Sequence, residues 1–332
     1  MATARRILFL GGNGIISASC SREVLARGDE LTHLTRGIGS TRPPIDGVRN
    51  LIGDAGDPAS IRDALGDAEF DVVVNFRAFL PAQVAADVET FAGRTGQYVF
   101  ISSASAYQKP VAALPIVEST PLRNPFWQYS RDKIAAEEVL VAAYRESGFP
   151  MTIVRPSHTY DGGLVPLDGG WTALDRMLRG VPVVIHGDGT SLWTLTHARD
   201  FARAFVGLLG NPHALGSAVQ ITGDEVLTWD AIALELGKAL GVEPRLVHVA
   251  SETIARMMPD LGPGLLGDKA HSVVFDNTRV KTLVPGWTAT IPFADGAREI
   301  AEWHLADARR QVVDPALNEG FDRLAEWATP RA

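Results

Sequence analysis

The chain has 332 residues, 46% of them hydrophobic and 21% charged. That is ordinary globular composition, with length for a large core and two lobes. A formal net charge of -8 with no long basic run argues against a protein built to coat nucleic-acid phosphates, and the single cysteine, Cys20, excludes an internal disulfide framework. No stretch reads as a membrane span or a signal-peptide core, so the expected setting is cytoplasmic, with no membrane partner.

The N-terminal half alternates short apolar runs with helical patterns. Arg6–Leu10 reads as a strand, Ser17–Arg27 as a helix stopped by Gly28, and Leu31–Thr35 and Asn50–Gly53 as strands. Asp57 and Pro58 read as an N-cap and first-turn proline of a helix running to Leu65. Asp71–Asn75 and Gln97–Ser102 are continuous apolar runs, as expected of strands buried on both faces. Pro81–Phe91 and Tyr129–Glu146 read as helices, the second stopped by Gly148, and Met151–Arg155 as a strand. This alternation predicts a Rossmann-type, doubly wound parallel α/β sheet.

After Pro156 the pattern loosens. Helices are expected at Trp171–Arg179, Asp200–Leu209, Trp229–Leu240, Ser251–Met258 and Asp295–Leu305, with short strands at Val183–Ile185, Val219–Ile221 and Arg245–Val249. The expected organisation is a dinucleotide-binding domain over 1–165, to which 190–222 returns. A smaller mixed α/β substrate-binding lobe takes 166–189 and 223–310. A C-terminal tail follows over 311–332, with an amphipathic piece around Phe321–Trp327 docked on the body.

The stretch "LFLGGNGIIS" places Gly11, Gly12, Asn13, Gly14, Ile15 and Ile16 between a strand and a helix. That context gives a glycine loop its meaning as a dinucleotide site. Gly11 permits the tight turn, and Gly12 and Gly14 let backbone approach a pyrophosphate held by the helix amides. Ser17 stands where a further glycine is usual, which implies a slight local shift. Thr35 and Arg36 end the second strand without a carboxylate. A guanidinium there suits a 2′-phosphate and points to NADP, the alternative being NAD with Arg36 stacked on its adenine. Asp54 either reaches the adenine edge or only makes a turn.

Tyr129 and Lys133 lie four apart at a helix start, so they face the same way. A neighbouring ammonium favours the phenolate and is expected to bring the tyrosine down toward neutrality as a proton shuttle. Ser103, at a strand's carboxyl end, would hydrogen-bond the same substrate oxygen. Ser102 and Ser105 are candidate supports.

Glycine loop, "FISSASAY" and "YSRDK", in this order, resemble the extended short-chain dehydrogenase/reductase superfamily, in its NAD-dependent epimerase/dehydratase group, over residues 5 to about 305. The resemblance implies hydride transfer with nicotinamide. It implies Tyr129 as acid/base, Lys133 as its tuner and ribose ligand, and Ser103 as substrate orienter. Ala104 and Ser105 stand where the group's dehydratases carry an acid and a base, which disfavours dehydration. His158 stands in the place of a usual asparagine and Trp193 in that of a diphosphate-binding arginine. A second arginine near "LLGDKAHSVVFD" is missing, with Lys269 and His271 nearby. An ordinary nucleoside-diphosphate sugar is therefore disfavoured. Ser105, His158 and Trp193 are candidate substrate contacts, although Trp193 and His158 also read as interior residues, and His197 reads as packing.

The expected function is an NAD(P)-dependent oxidoreductase or epimerase acting on a secondary alcohol or carbonyl of a carbohydrate-like small molecule. Alternatives are a net NADPH-dependent reductase, a nucleic-acid-binding relative like the chloroplast stem-loop-binding proteins, and a redox-sensing regulator. A homodimer is expected from small and apolar residues Ala135, Ala136, Val139 and Leu140 on the Tyr-Lys helix. No metal site is expected.

Overall fold

The computed structural model describes residues 4–37 and 43–329. Period-two alternation sorts the strand side chains onto two faces. The strands are Arg6–Leu10 (β1), Glu30–Thr35 (β2), Arg49–Ile52 (β3), Phe70–Asn75 (β4), Thr95–Ile101 (β5), Met151–Pro156 (β6) and Ser217–Ile221 (β7). They form one sheet in the order β7-β6-β5-β4-β1-β2-β3, parallel throughout.

Ile7, Phe9, Val72, Val74, Val99, Val154 and Val219 point to one face. There they meet Cys20 and Val24 of Ile15–Ala26 (α1) and Phe201 and Phe205 of Ala198–Leu208 (α5). Their neighbours Leu8, Leu10, Val73, Tyr98, Phe100 and Ile153 point to the other. These meet Ile61 of Pro58–Leu65 (α2), Val84 and Phe91 of Pro81–Phe91 (α3), and Ala136 and Leu140 of Gln128–Ser147 (α4). Each buried large apolar side chain contributes about 1.5–3 kcal/mol. This is the Rossmann-type α/β fold that the alternation predicts. Of the expected dimer face, Ala136 and Leu140 are wholly buried in their own core and cannot meet a second subunit, while Ala135 and Val139 are half-buried.

The strand order reverses between β1 and β4. Open parallel sheets bind ligands at the carboxyl edge beside such a reversal. The glycine loop leaves β1 there and the segment Asn75–Leu80 leaves β4 beside it.

Past β6 the chain builds a second core around Trp171, Leu174, Met177, Val183, Ile185, Trp229, Ile232, Leu236, Phe293 and Ile300. Three short strand pairs brace it: Val183–His186 with Leu246–Val249, His158–Tyr160 with Leu195–His197, and Leu192–Trp193 with Leu227–Thr228. The last two pairs were not expected, since two or three residues carry no readable period. The tail forms a full helix, Pro315–Ala328, capped by Asp314. Its Phe321 and Leu324 pack with Val249, Ile254, Met258 and Leu265, so it buttresses the segment 258–265 that borders the cleft.

A buried polar knot ties α4 to the sheet. Ser102 Oγ donates to Glu137, and Arg155 grips the same carboxylate through Nε at 3.0 Å and Nη2 at 2.5 Å. Both charged side chains are nearly inaccessible. Removing one partner leaves a buried charge uncompensated. Arg155→Met should therefore lower the unfolding free energy by about 3 kcal/mol, measured by urea denaturation. A loss indistinguishable from zero would show the pair to be dispensable.

Candidate active site

The glycine loop holds its shape for reasons partly different from those expected. Gly11 adopts φ +85°, a left-handed conformation that favours glycine. At Gly12 a Cβ would lie 2.2 Å from His33 Nδ1. Glycine at this position is thus required by an interior neighbour, not only by an approaching ligand. His33 is buried on β2, stacks on Phe9 and bonds Ser21 Oγ through Nε2 at 2.8 Å. Burial pushes its pKa down to about 4, so the ring is neutral at physiological pH. Ser17, in place of a further glycine, is buried and accepts the Gly14 N–H at 2.8 Å. Its hydroxyl caps the start of α1 and the loop is retained. The amides of Ile15 and Ile16 open the helix, where first-turn N–H groups have no intrahelical acceptor. Asn13 and Gly14 are exposed beside them. Arg36 is exposed just beyond β2. Asp54 follows β3 along the same edge and accepts the Gly56 N–H at 2.9 Å, so one oxygen serves a turn.

The residues present fit a dinucleotide. The turn at Gly11 and the unfilled amides of α1 form an anion cradle, with Arg36 and Asp54 farther along the carboxyl edge toward β3.

Lys133, on the first turns of α4, is buried. Its Nζ donates to the carbonyls of Ala78 at 2.8 Å and Ile101 at 2.7 Å, and it lies over the rings of Phe79 and Phe100. An ammonium has three N–H donors, so one remains for a ligand. Burial lowers its pKa to about 7. Tyr129 lies one turn earlier, its ring centroid 5.8 Å from the Lys133 Nζ. The expected fall of the Tyr129 pKa is overturned. Burial raises it, the Ser103 hydroxyl lowers it, and the Asp268 carboxylate raises it. Desolvation is the largest of these effects, since burial disfavours the charged phenolate. Tyr129 is therefore held as a phenol.

Ser103 follows β5 and faces Tyr129. Its Oγ lies 2.9 Å from Ser105 Oγ, which lies 2.7 Å from Ser130 Oγ. Ser105 is thereby occupied within the protein and orients Ser103. Ser102 turns the other way, to Glu137.

Beyond Tyr129 opens a cavity of about 520 Å³. Sheet-edge groups Ser103, Ser105, Tyr129 and His158 line one side. Trp193 and a segment of the second core line the other. The expected substrate residues Ser105, His158 and Trp193 all border it. Trp193 is only 3% exposed, packs on Trp229, and donates its Nε1–H to His158 Nδ1 at 3.2 Å. It acts as wall more than as a stacking platform. The bond leaves the His158 proton on Nε2, and burial lowers the pKa of this ring to about 3. His197 caps α5 through Nδ1 and bonds Glu299, the packing role expected.

Asp168, Asp260 and Asp268 escaped the sequence reading, in which Lys269 figured only as a neighbour of a missing arginine. A π-helical turn, Leu265–Lys269, carries Asp268 and Lys269 to the wall; such turns recur at functional sites. Lys269 pairs with Asp168, and the wholly buried Lys109 lies 3.3 Å from Asp268. Asn124 ties the two sides together. Its Nδ2 donates to the carbonyls of Ser105 and Gly267, and its Oδ1 accepts the Phe126 and Trp127 amides. The one available signal was the Asn-Pro step before "FWQYS". Among the described residues no arginine lines the cavity and no cluster of metal ligands occurs. No helix among them is long and apolar enough to cross a membrane.

Fold and cleft together define a protein of the extended short-chain dehydrogenase/reductase type. Residues 7–221 match the NAD dependent epimerase/dehydratase family, and the chain belongs to that family. It is 28% identical to 2'-dehydrokanamycin reductase of Streptomyces kanamyceticus over 325 residues, covering 96% of this chain and 89% of that protein. It is 27% identical over 264 residues to chloroplast stem-loop binding protein of 41 kDa b of Arabidopsis thaliana, covering 74% and 66%. The fold matches that of the epimerase Mth375 of Methanothermobacter thermautotrophicus, with a TM-score of 0.77 and 14% identity over 92% of this chain and 94% of that one.

The contact at Gly12 yields a prediction. Gly12→Ala should cost about 1–3 kcal/mol by overpacking against His33 and weaken dinucleotide binding. In a His33→Ala background the added cost should shrink. Chemical denaturation of the four-member cycle measures this, and additive costs would separate the two residues.

Proposed function

We propose that the protein is an NADPH-dependent oxidoreductase that reduces a ketone on a sugar-like substrate carrying no nucleoside diphosphate. The observation that carries this is the cavity wall, which holds no arginine: Asp168 is paired with Lys269, Asp268 lies beside Lys109, and Asp260 completes the charged groups. Such a wall offers a diphosphate none of the bidentate guanidinium pairing on which its strong recognition depends. It accepts hydroxyl or amino donors, as carbohydrate rings supply. The similarity to a protein named as a reductase of 2'-dehydrokanamycin supports the same reading. The acidic wall and the net charge of -8 weigh against nucleic acid as the ligand.

In this reading the sheet-edge domain holds the dinucleotide and the second core shapes the substrate. The nicotinamide, when bound, supplies the hydride. Tyr129 protonates the carbonyl oxygen, a task suited to a group whose pKa burial keeps high. Ser103, aligned by Ser105 and Ser130, hydrogen-bonds the same oxygen. Lys133 spends two donors on backbone carbonyls and directs the third toward the ribose. Arg36 pairs with the 2′-phosphate. Ala104 and Ser105 offer no acid or base beside Ser103, so water elimination is not part of the proposal. Family membership favours epimerisation as the second reading, since it uses the same groups with the hydride returned to the substrate.

Net consumption of NADPH with a panel of ketosugars and oxidised aminoglycosides separates the two readings. Turnover to an epimer with no net oxidation of cofactor would overturn the first. Tyr129→Phe should slow turnover by about 10²- to 10⁴-fold while leaving NADPH affinity within twofold or so; unchanged turnover would remove Tyr129 from the mechanism. Arg36→Ala should weaken NADPH roughly tenfold or more and NADH little, read by fluorescence titration. Equal losses would contradict the cofactor preference.

A further inference from the structure

Asn75 ends β4 and pins the segment that follows it. Its Oδ1 accepts the Arg77 and Ala78 amides at 2.6 and 2.8 Å, and its Nδ2 donates to Asp87 at 2.5 Å. Gln83 closes the other end of the segment, accepting the Phe79 and Leu80 amides at 2.8 and 3.0 Å. Held between these anchors, Arg77 drapes its stem over the glycine loop. A Cβ at Gly11 would lie 2.8 Å from Arg77 Cγ and 3.3 Å from Cδ. The guanidinium sits 5.6 Å from the Phe79 ring centroid, and the opposite neighbour of that ring is the Lys133 ammonium at 4.6 Å. Glycine loop, Arg77, Phe79, Lys133 and Tyr129 thus follow one another along the sheet edge, on the path a dinucleotide takes from its diphosphate to its nicotinamide. Arg77 is exposed, with its stem against this loop and its guanidinium over this ring.

We propose that Arg77 clamps the dinucleotide's diphosphate from the side opposite the α1 amides, so that the charge is held between a guanidinium and a helix N-terminus. The inference rests on the dinucleotide reading of the cleft. Arg77 follows β4 while Arg36 follows β2, on the other side of β1, so the two arginines serve different phosphates. Arg77 grips the diphosphate common to both nicotinamide cofactors, and Arg36 the 2′-phosphate of one. The planar fork of Arg77 matches two phosphate oxygens at once, which a lysine at the same place would not.

Calorimetric titration of the full chain with NADPH, NADH and adenosine 2′-monophosphate tests this. Arg77→Ala should weaken NADPH and NADH alike by roughly tenfold, leave adenosine 2′-monophosphate unchanged, and flatten the salt dependence of dinucleotide binding. Arg77→Lys should recover only part of the loss. Unchanged thermal unfolding of both variants excludes a folding effect, as expected for an exposed side chain. Dinucleotide affinities equal to wild type would overturn the proposal. A loss confined to NADPH and adenosine 2′-monophosphate would also overturn it, by assigning Arg77 to the 2′-phosphate. Failure of the wild-type chain to bind either dinucleotide would instead sink the underlying reading, and this inference with it.

Discussion

The Lys133 ammonium, buried without a carboxylate in contact, donates to the carbonyls of Ala78 and Ile101. It joins α4, the exit of β4 and the end of β5 at one point of the sheet edge. Burying a cation is costly unless its donors are satisfied, so these three elements must arrive together for the site to exist. Tyr129 sits one turn before Lys133 and Ser103 two residues past Ile101. Once Lys133 is seated, the phenol and the hydroxyl have little freedom left.

The same burial determines the chemistry. Desolvation moves Lys133 down to about 7 and Tyr129 upward, because both groups lose water in their charged forms. Both shifts favour the neutral forms of the two side chains. Family membership is compatible with either direction.

The other side of the cleft is assembled by different rules. The cavity wall is built by segments distant in sequence. Asp168 precedes one helix of the second core, Trp193 lies on a two-residue strand, and Asp268 and Lys269 ride a π-helical turn. Asn124 bridges this wall to the serine stretch. The C-terminal helix supports it from behind through Phe321 and Leu324, packed on Leu265. Changes far from Tyr129, in the tail helix for example, can therefore reshape the cavity without touching the proton-transfer groups.

Local pattern was enough to read the sheet, the glycine loop and the Ser103, Tyr129 and Lys133 set. Each depends on short-range rules: strand period, glycine at a turn, and helical spacing of four. The Asp57 cap and the Gly148 stop followed from the same rules, while most strand ends fell one or two residues from those expected. Tertiary contact alone decided the rest. Gly12 is glycine because the His33 ring, brought alongside by β2, occupies the place of a Cβ. Ala136 and Leu140 face their own sheet because α4 packs there. The Tyr129 pKa rises, against the expectation from its lysine, because burial disfavours the phenolate. Asp268, Lys269 and Arg77 gained their places through a π-helical turn and an asparagine-pinned loop, whose hydrogen bonds join residues with no periodic relation in sequence. Periodicity records which face a residue shows; depth of burial and partners from distant segments are set only when the chain closes on itself.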